Sequence, residues 1–107
     1  MFLIIDARRW DSLDEVFTPD IEYHRPGYAC VAGIDSLKTF YAEIRVISSG
    51  QHVLYEILAD SKKGSCWGRF KGQTKSNQTI MEDFAEWYEF NGPAISMRRT
   101  FFYEPAV

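Results

Sequence analysis

The sequence has 107 residues, enough for one domain and too few for two. Its 15 acidic residues outnumber its 12 basic residues, giving a net charge of −3, and no basic run exceeds two residues, so we expect no nucleic-acid partner. The longest apolar run near the start, residues 2–5, is too short for a signal peptide or a membrane span, so we expect a cytoplasmic protein with no membrane partner.

The two cysteines and two histidines show no metal-site spacing. Cys30 and Cys66 stand among apolar neighbours and outside any Cys-x-x-Cys pattern, so we expect buried free thiols in a reducing compartment. His24 and His52 are isolated, and each is expected to be an ordinary solvated strand residue. We therefore expect no metal and no cofactor.

The first part of the chain predicts two short helical segments. Residues 2–10 change from apolar to polar, as at the end of a helix, and residues 12–15 (Ser-Leu-Asp-Glu) match a capping box. The second helix would place Leu13 and Phe17 on one face and would end before Pro19.

A strand, a loop and the best-defined helix follow. Residues 20–25 alternate apolar and polar side chains, which predicts a strand, and the glycines at both ends of residues 27–33 predict a loop. Residues 34–46 predict a helix, because apolar side chains recur there at helical spacing. These side chains are Ile34, Leu37, Phe40, Tyr41 and Ile44.

The second half of the chain predicts a meander of strands. Turn-forming residues separate four extended segments, residues 51–59, 65–74, 78–90 and 94–103. Helices followed by strands with short turns indicate an α+β fold with a mostly antiparallel sheet. Because long antiparallel strands curl, we expect a cone-shaped curved sheet, wrapped around the N-terminal helices, that encloses a pocket.

Three segments carry a family resemblance: residues 17–27 around the first strand, residues 32–41 at the start of the main helix, and residues 84–98 in the last two strands. In their order and spacing they resemble the nuclear transport factor 2-like (NTF2-like) superfamily, which includes SnoaL-like polyketide cyclases, limonene epoxide hydrolases and ketosteroid isomerases. The resemblance implies a single NTF2-like or SnoaL-like domain over residues 1–107, with the cystatin-like α+β fold. It also implies a small hydrophobic ligand and a homodimer formed through the outer sheet face.

The ketosteroid isomerase pattern is only partly present. The resemblance places that family's catalytic aspartate directly before Pro26, where this sequence has Arg25, and arginine cannot accept a proton at neutral pH. The family's oxyanion-binding tyrosine would fall at or before Met1, whereas its carboxylic acid on the penultimate strand matches Glu86. A classical steroid isomerase is therefore disfavoured.

Strand alternation predicts which side chains face the pocket. It turns Glu86 towards the interior together with Arg25 and Arg99, and we take these three as candidate catalytic residues. The candidate ligand-binding residues are Tyr23, Tyr88, Phe40, Met97 and Phe101. A bulge in either of the last two strands would reverse part of this arrangement.

Two interpretations of the charged residues remain open. Glu86 and Arg99 can form an interior ion pair that fixes the strand register, which is slightly favoured because buried charges need partners. Alternatively, Arg25 or Arg99 binds an oxyanion of a ligand while Glu86 acts as a base. Asp83 is predicted on the outer face and is a weaker alternative to Glu86.

The function predicted from these features is small-molecule binding in an apolar pocket. An enzyme of the isomerase, cyclase or epoxide-hydrolase type would use Glu86 for acid–base chemistry on a hydrophobic, oxygenated substrate. The alternative is a non-catalytic ligand-binding domain or a dimeric protein-docking module. The state of Glu86 distinguishes them, because a base must be free of permanent partners.

Overall fold

Two short helical segments begin the chain in the computed structural model, which describes residues 1–104. Helix α1 spans Phe2–Asp6, and a 3-10 helix spans Trp10–Glu15. The prediction that this helix includes Phe17 is wrong, because Phe17 begins the first strand. The predicted capping box is not formed either, since no side chain caps the 3-10 segment. Residues 105–107, at the end of the predicted domain, lie outside the described residues.

Strand β1 spans Phe17–His24 and therefore begins earlier than predicted. Pro19 lies inside it, at an exposed position where the pairing with the last strand is interrupted between Phe17 and Glu22. A proline is tolerated at such a break because no ladder hydrogen bond needs its missing N–H. The predicted loop contains a two-residue strand, β2, Val31–Ala32, which pairs with β1.

The main helix is shorter than predicted and ends in an irregular turn. Helix α2 spans Ile34–Thr39, and a π-helical turn spans Phe40–Ile44. The remaining strands are β3 (Ile47–Ala59), β4 (Lys63–Thr74), β5 (Thr79–Asn91) and β6 (Ala94–Phe102). All four lie where the sequence predicts them, with boundaries shifted by a few residues.

The six strands form one curled sheet in the order β2-β1-β6-β5-β4-β3. Every neighbouring pair is antiparallel except β1 and β6, which run parallel. The helical segments pack on the concave face, where the buried side chains of each strand point. The prediction of an α+β fold with a curved, mostly antiparallel sheet is confirmed.

The outer, convex face of the sheet carries exposed large apolar side chains. Alternation along β4 places Cys66, Gly68 and Phe70 inside and Trp67 outside. Trp67 packs edge-on against Tyr55 of β3, with 4.8 Å between ring centroids. Exposed apolar neighbours on the same face are Val53, Met81 and Phe101.

None of the helices in residues 1–104 has the length and apolarity needed to cross a membrane.

Candidate functional site

Glu86 lies at the centre of a buried hydrogen-bond network on the concave face. Its Oε1 accepts from Tyr88 at 2.6 Å and from Arg98 Nε at 2.9 Å. Its Oε2 accepts from Arg98 Nη2 at 2.7 Å and from the hydroxyl of Thr100. The residue is only 2% exposed. Both carboxylate oxygens are therefore occupied, and no ligand can reach them without breaking this network.

The charge state of Glu86 follows from these partners. Burial opposes its ionisation, but the Arg98 charge and the hydrogen bonds from Arg98, Thr100 and Tyr88 outweigh burial and hold the pKa of Glu86 below its usual value. Burial and the adjacent Glu86 charge raise the pKa of Tyr88, so Tyr88 remains a hydrogen-bond donor. Glu86 is thus ionised, and both of its oxygens already accept hydrogen bonds, so it is poorly placed to accept a proton from a ligand.

Arg98, not Arg99, is the partner of Glu86. Phe90 pairs with Ile95 and Glu89 with Met97, so one extra residue, Ser96, is inserted into β6. The bulge changes the alternation, and Arg98 and Thr100 point inward from there on.

The inward placement predicted for three residues of β6 is therefore wrong. Arg99 is exposed, Phe101 is 51% exposed, and Met97 is only half-buried. All three lie beyond the bulge, where each side chain has moved to the opposite face from the one predicted. None of them contributes to the network around Glu86.

The predicted aromatic residues have different surroundings. Tyr23 is fully buried and hydrogen-bonds to Thr100 at 2.9 Å, with the Arg98 guanidinium 4.4 Å from its ring centroid. Phe40 is a core residue that packs edge-on against Tyr23. Tyr88 is bound to Glu86 and also lines an apolar groove described below.

A small central cavity adjoins the ion pair. Its volume is about 20 Å³, enough for a single water-sized group. Its charged lining comprises Arg25, Arg45, Arg98, Glu82 and Glu86. Its half-buried rim comprises Ile80, Glu82, Phe102, Arg25 and His52.

Two guanidinium groups face this cavity without a carboxylate partner in residues 1–104. Arg45 is 5% exposed, lies over the rings of Tyr41 and Phe70 at 5.3 and 5.6 Å, and leaves its buried Nε unbonded. Arg25 donates from Nη1 to Tyr23 at 3.2 Å, and its buried Nε is also unbonded. Unpaired buried cations are costly, so this arrangement points to an anionic occupant.

Sequence reasoning missed Arg45 because it assumed a regular helix through residue 46. The backbone N–H of Arg45 instead bonds to the carbonyl of Phe40 at 2.8 Å, five residues earlier. This π-helical turn adds one residue and rotates the end of the helix, so Ile44 becomes 53% exposed and Arg45 is buried. The available signal was the pair Ile44 and Arg45 at the end of the helical pattern, where a change in helical spacing exchanges the buried and the exposed position.

The prediction that His52 is a solvated strand residue is also wrong. Its Nδ1 lies 2.6 Å from Asp6 Oδ1, and its backbone N–H donates to Asp6 Oδ2 at 2.8 Å. Its ring stacks on Phe2 at 4.2 Å and lines the central cavity. The signal that the sequence analysis missed is Asp6, an acidic residue that follows the apolar residues of α1 and could pair with a buried histidine.

The remaining candidates lie at the surface. His24 is near Glu22 and Cys30, each at 3.8 Å, and Cys30 is exposed, so the prediction that it is buried is wrong. Asp83 lies on the outer face, where it pairs with Arg69 at 2.9 Å. Within residues 1–104, no group of three or more His, Cys, Asp or Glu side chains could hold a metal ion.

A second concavity, the apolar groove, lies at the other end of the concave face. Its volume is about 340 Å³, within the range of small-molecule sites. It is bounded by α1, β3, β4 and β5, and its lining includes Leu3, Leu54, Ile57, Tyr88 and Phe90. The side chain of Phe2 separates this groove from His52.

Comparison with protein families gives a match to the SnoaL-like domain over residues 1–98. No curated protein matches the sequence significantly.

Comparison with solved structures gives many similar folds. An NTF2-like protein of unknown function from Burkholderia pseudomallei has a TM-score of 0.84 at 12% identity, over 94% of this chain and 83% of that one. TerC, co-crystallised with polyporic acid, has a TM-score of 0.83 at 16% identity, over 94% and 84%. An epoxide hydrolase from M. tuberculosis, described as LEH-like, has a TM-score of 0.80 at 14% identity, over 94% and 75%. At these identities, the structures show a shared fold and nothing finer.

Proposed function

Because the chain belongs to the SnoaL-like domain family, within the NTF2-like superfamily, we propose that it binds a small organic acid through the central cavity. In this proposal the carboxylate of the ligand, or another oxyanion, occupies the cavity between Arg25 and Arg45. The observation that carries it is a pair of guanidinium groups, each with a buried and unbonded Nε, that lack a carboxylate partner in the part of the chain that the structure describes.

The chemistry of the two arginines supports an anion. A guanidinium presents planar N–H donors that match the two oxygens of a carboxylate, and it remains charged when buried. Aromatic rings under Arg25 and Arg45 compensate their desolvation only partly. A bound carboxylate would supply the missing charge and the missing acceptors together.

The size of the cavity limits how the ligand binds. About 20 Å³ holds a head group and no more, so the body of the ligand must extend across the rim. Ile80 and Phe102 provide apolar contacts there. Glu82 also lies at this rim, and burial together with nearby Glu104 and Asp83 raises its pKa, which reduces its opposition to an anion. We therefore infer that the ligand is an acid whose body is apolar, because Ile80 and Phe102 would contact that body.

Glu86 is not the base in this proposal. Its carboxylate oxygens accept four hydrogen bonds in the core, which argues against the free carboxylate that the enzyme hypothesis requires. The arrangement instead favours a structural role for Glu86 beneath a binding site.

The proposal is tested by isothermal titration calorimetry with matched ring compounds. Cyclohexanecarboxylate and 1-naphthoate are compared with their neutral methyl esters, using wild type, Arg45→Met and, as a control, Arg69→Met on the outer face. We expect the carboxylates to bind wild type and Arg69→Met equally. Loss of a charged hydrogen-bond donor should weaken their binding to Arg45→Met by about tenfold or more.

Two outcomes would contradict the proposal. Either no carboxylate binds wild type, or Arg45→Met binds the carboxylates as well as wild type does. Equal affinity of acids and esters in every variant would place the ligand in the apolar groove instead. Circular dichroism of each variant shows whether the fold is retained.

We further propose that the protein is a cytoplasmic homodimer, with the outer sheet face as the interface. The exposed apolar side chains around Trp67 support self-association, since a twofold interface uses the same patch on both copies. The free thiols of Cys30 and Cys66 are compatible with a reducing compartment.

A further inference from the structure

His52 and Asp6 form a carboxylate–imidazole pair that the binding proposal does not use. Strand β3 is at the edge of the sheet, so the backbone N–H of His52 is free to donate to Asp6 Oδ2 at 2.8 Å. The ring nitrogen Nδ1 lies 2.6 Å from Asp6 Oδ1. Two contacts from one carboxylate fix both the backbone position and the ring orientation of His52.

The surroundings of His52 hold its ring against the cavity. Phe2 stacks on one face of the imidazole, with 4.2 Å between ring centroids, and the ring centroids of Phe70 and Phe84 lie 4.7 and 5.4 Å from that of His52. Nδ1 faces Asp6, and the ring lines the cavity, so Nε2 is the ring nitrogen left to face it; Nε2 has no hydrogen-bond partner in residues 1–104. Phe70 also lies beneath the guanidinium of Arg45, so one aromatic ring joins the imidazole to the anion site.

We propose that His52 is the proton acceptor of the central cavity, oriented by Asp6 and acting on the ligand whose anionic group Arg25 and Arg45 hold. This inference rests on the proposed function for the position of the ligand. It assigns acid–base chemistry to a residue other than Glu86. Asp6 is a positioning residue, because it acts through His52.

The electrostatics favour a neutral imidazole. Burial is the main effect that lowers the pKa of His52; Asp6 opposes it, while Arg98 and Arg45 add to it. Phe70 and Phe84 add no charge, and Glu82 and Glu86 of β5 line the same cavity. At neutral pH the proton therefore resides on Nδ1, which donates to Asp6, and the Nε2 lone pair is available.

The chemistry that fits this arrangement is removal of a proton from a carbon beside a carbonyl group. The C–H proton passes to Nε2, and the C–H electron pair forms the C=C bond of an enolate whose oxygen takes the negative charge. Asp6 stabilises the imidazolium formed. Return of a proton from Nε2 to carbon restores the neutral ring, so the step balances without an oxidant or a cofactor.

The first test asks whether Nε2 is open to the cavity, independently of any ligand. Diethyl pyrocarbonate acylates neutral imidazoles, and mass spectrometry separates the peptides of His52 and His24. We expect both histidines to react, and we expect levulinate, a small keto acid, to protect His52 but not His24. If His24 reacts and His52 does not, the proposal is overturned whatever the ligand.

The second test measures proton transfer directly. Levulinate is incubated with protein in D2O, and the loss of its C3 proton signal is followed by ¹H NMR while calorimetry reports its binding. General-base catalysis is typically worth roughly 10²- to 10⁴-fold, so we expect wild type to exceed the buffer rate by at least about tenfold. His52→Asn, whose amide can still donate to Asp6, should fall to the buffer rate, and Asp6→Asn should be intermediate. His24→Asn should match wild type.

The outcomes separate the two proposals. Levulinate binding without exchange would reject His52 as a proton acceptor and leave the anion site intact. If levulinate does not bind, the titrations with the ring carboxylates decide the anion site, and the proton-acceptor role is rejected if His52 is also unreactive towards diethyl pyrocarbonate. Exchange that persists in His52→Asn, with the fold intact by circular dichroism, would also overturn the proposal.

Discussion

Glu86 and Arg98 are each about 2% exposed, so their ion pair is shielded from solvent and salt. Removing both charges from water carries a large desolvation free energy. The bidentate contact between Arg98 and Glu86, with the added hydrogen bonds from Tyr88 and Thr100, offsets this desolvation free energy. Such a pair contributes little net stability. The loss of one partner, however, leaves the other charge buried without compensation.

We therefore predict that removing one charge of this pair costs more stability than replacing both residues with apolar ones. Glu86→Gln should destabilise the fold by about 3–5 kcal/mol, because Arg98 would keep its charge without a counter-ion. The double variant Glu86→Leu with Arg98→Met should be closer to wild type than Glu86→Gln is. Urea unfolding followed by circular dichroism measures both effects.

The control for this comparison is the surface pair Arg69–Asp83. Asp83→Asn should change the urea midpoint far less than Glu86→Gln does, because solvent screens an exposed pair. A Glu86→Gln midpoint equal to that of wild type would show that the charge on Glu86 does not hold the core together.

Irregular backbone in β6, in β3 and at the end of α2 changes which side chains face the site. The bulge at Ser96 turns Arg98 inward, and the π-helical turn buries Arg45. A second bulge lies in β3, where Leu54 pairs with Gly68 and Glu56 with Trp67, so Tyr55 is the extra residue. Bulges bend a strand and increase its twist, and this one helps to curl the sheet over the concave face.

Gly68 opposite this bulge is predicted to be intolerant of a side chain. A Cβ atom there would lie 2.1 Å from the carbonyl oxygen of Val53 and 3.0 Å from the Cα of Leu54, and both are backbone atoms. Gly68→Ala should therefore destabilise the protein by about 1–3 kcal/mol. Thermal unfolding checks this, with the exposed neighbour Arg69→Ala as the control that should change little. An unchanged melting temperature for Gly68→Ala would mean that β3 can move away from β4 without loss.

The whole molecule presents two apolar surfaces of different shape. The outer face is a broad sheet surface that carries Trp67 and Tyr55, about half of each side chain being exposed. The apolar groove is concave and lies on the opposite face, around Ile57. A convex sheet face suits a second copy of the chain, whereas a groove suits a ligand.

We predict that a charge at Trp67 prevents formation of the proposed homodimer. In a twofold interface the change occurs twice, once on each copy, so Trp67→Glu should yield monomers by sedimentation velocity at micromolar concentrations. Ile57→Glu, in the apolar groove, should leave the dimer intact. A monomeric wild-type protein, or a dimer that Ile57→Glu disrupts and Trp67→Glu does not, would contradict the outer-face interface.

The α+β class and the order of most elements can be predicted from the sequence alone. Helical spacing over residues 34–44, and alternation between turns in the second half, define the elements and their order, because these patterns reflect burial of one side of each element. The inward positions of Glu86, Tyr23 and Tyr88 follow from the same alternation. Each of these inferences needs only neighbouring residues of the chain.

The set of side chains that meet at the site depends on packing between elements that are distant in the chain. Arg98 faces the interior where Arg99 was predicted, and Arg45 is buried where Ile44 was predicted. Each difference results from one inserted residue, which is favourable only when neighbouring elements pack around it. The contact between His52 and Asp6 joins residues 46 positions apart and needs the edge of the curled sheet beside α1. A shift of one residue leaves the hydrophobic pattern almost unchanged, yet it moves every later side chain to the opposite face.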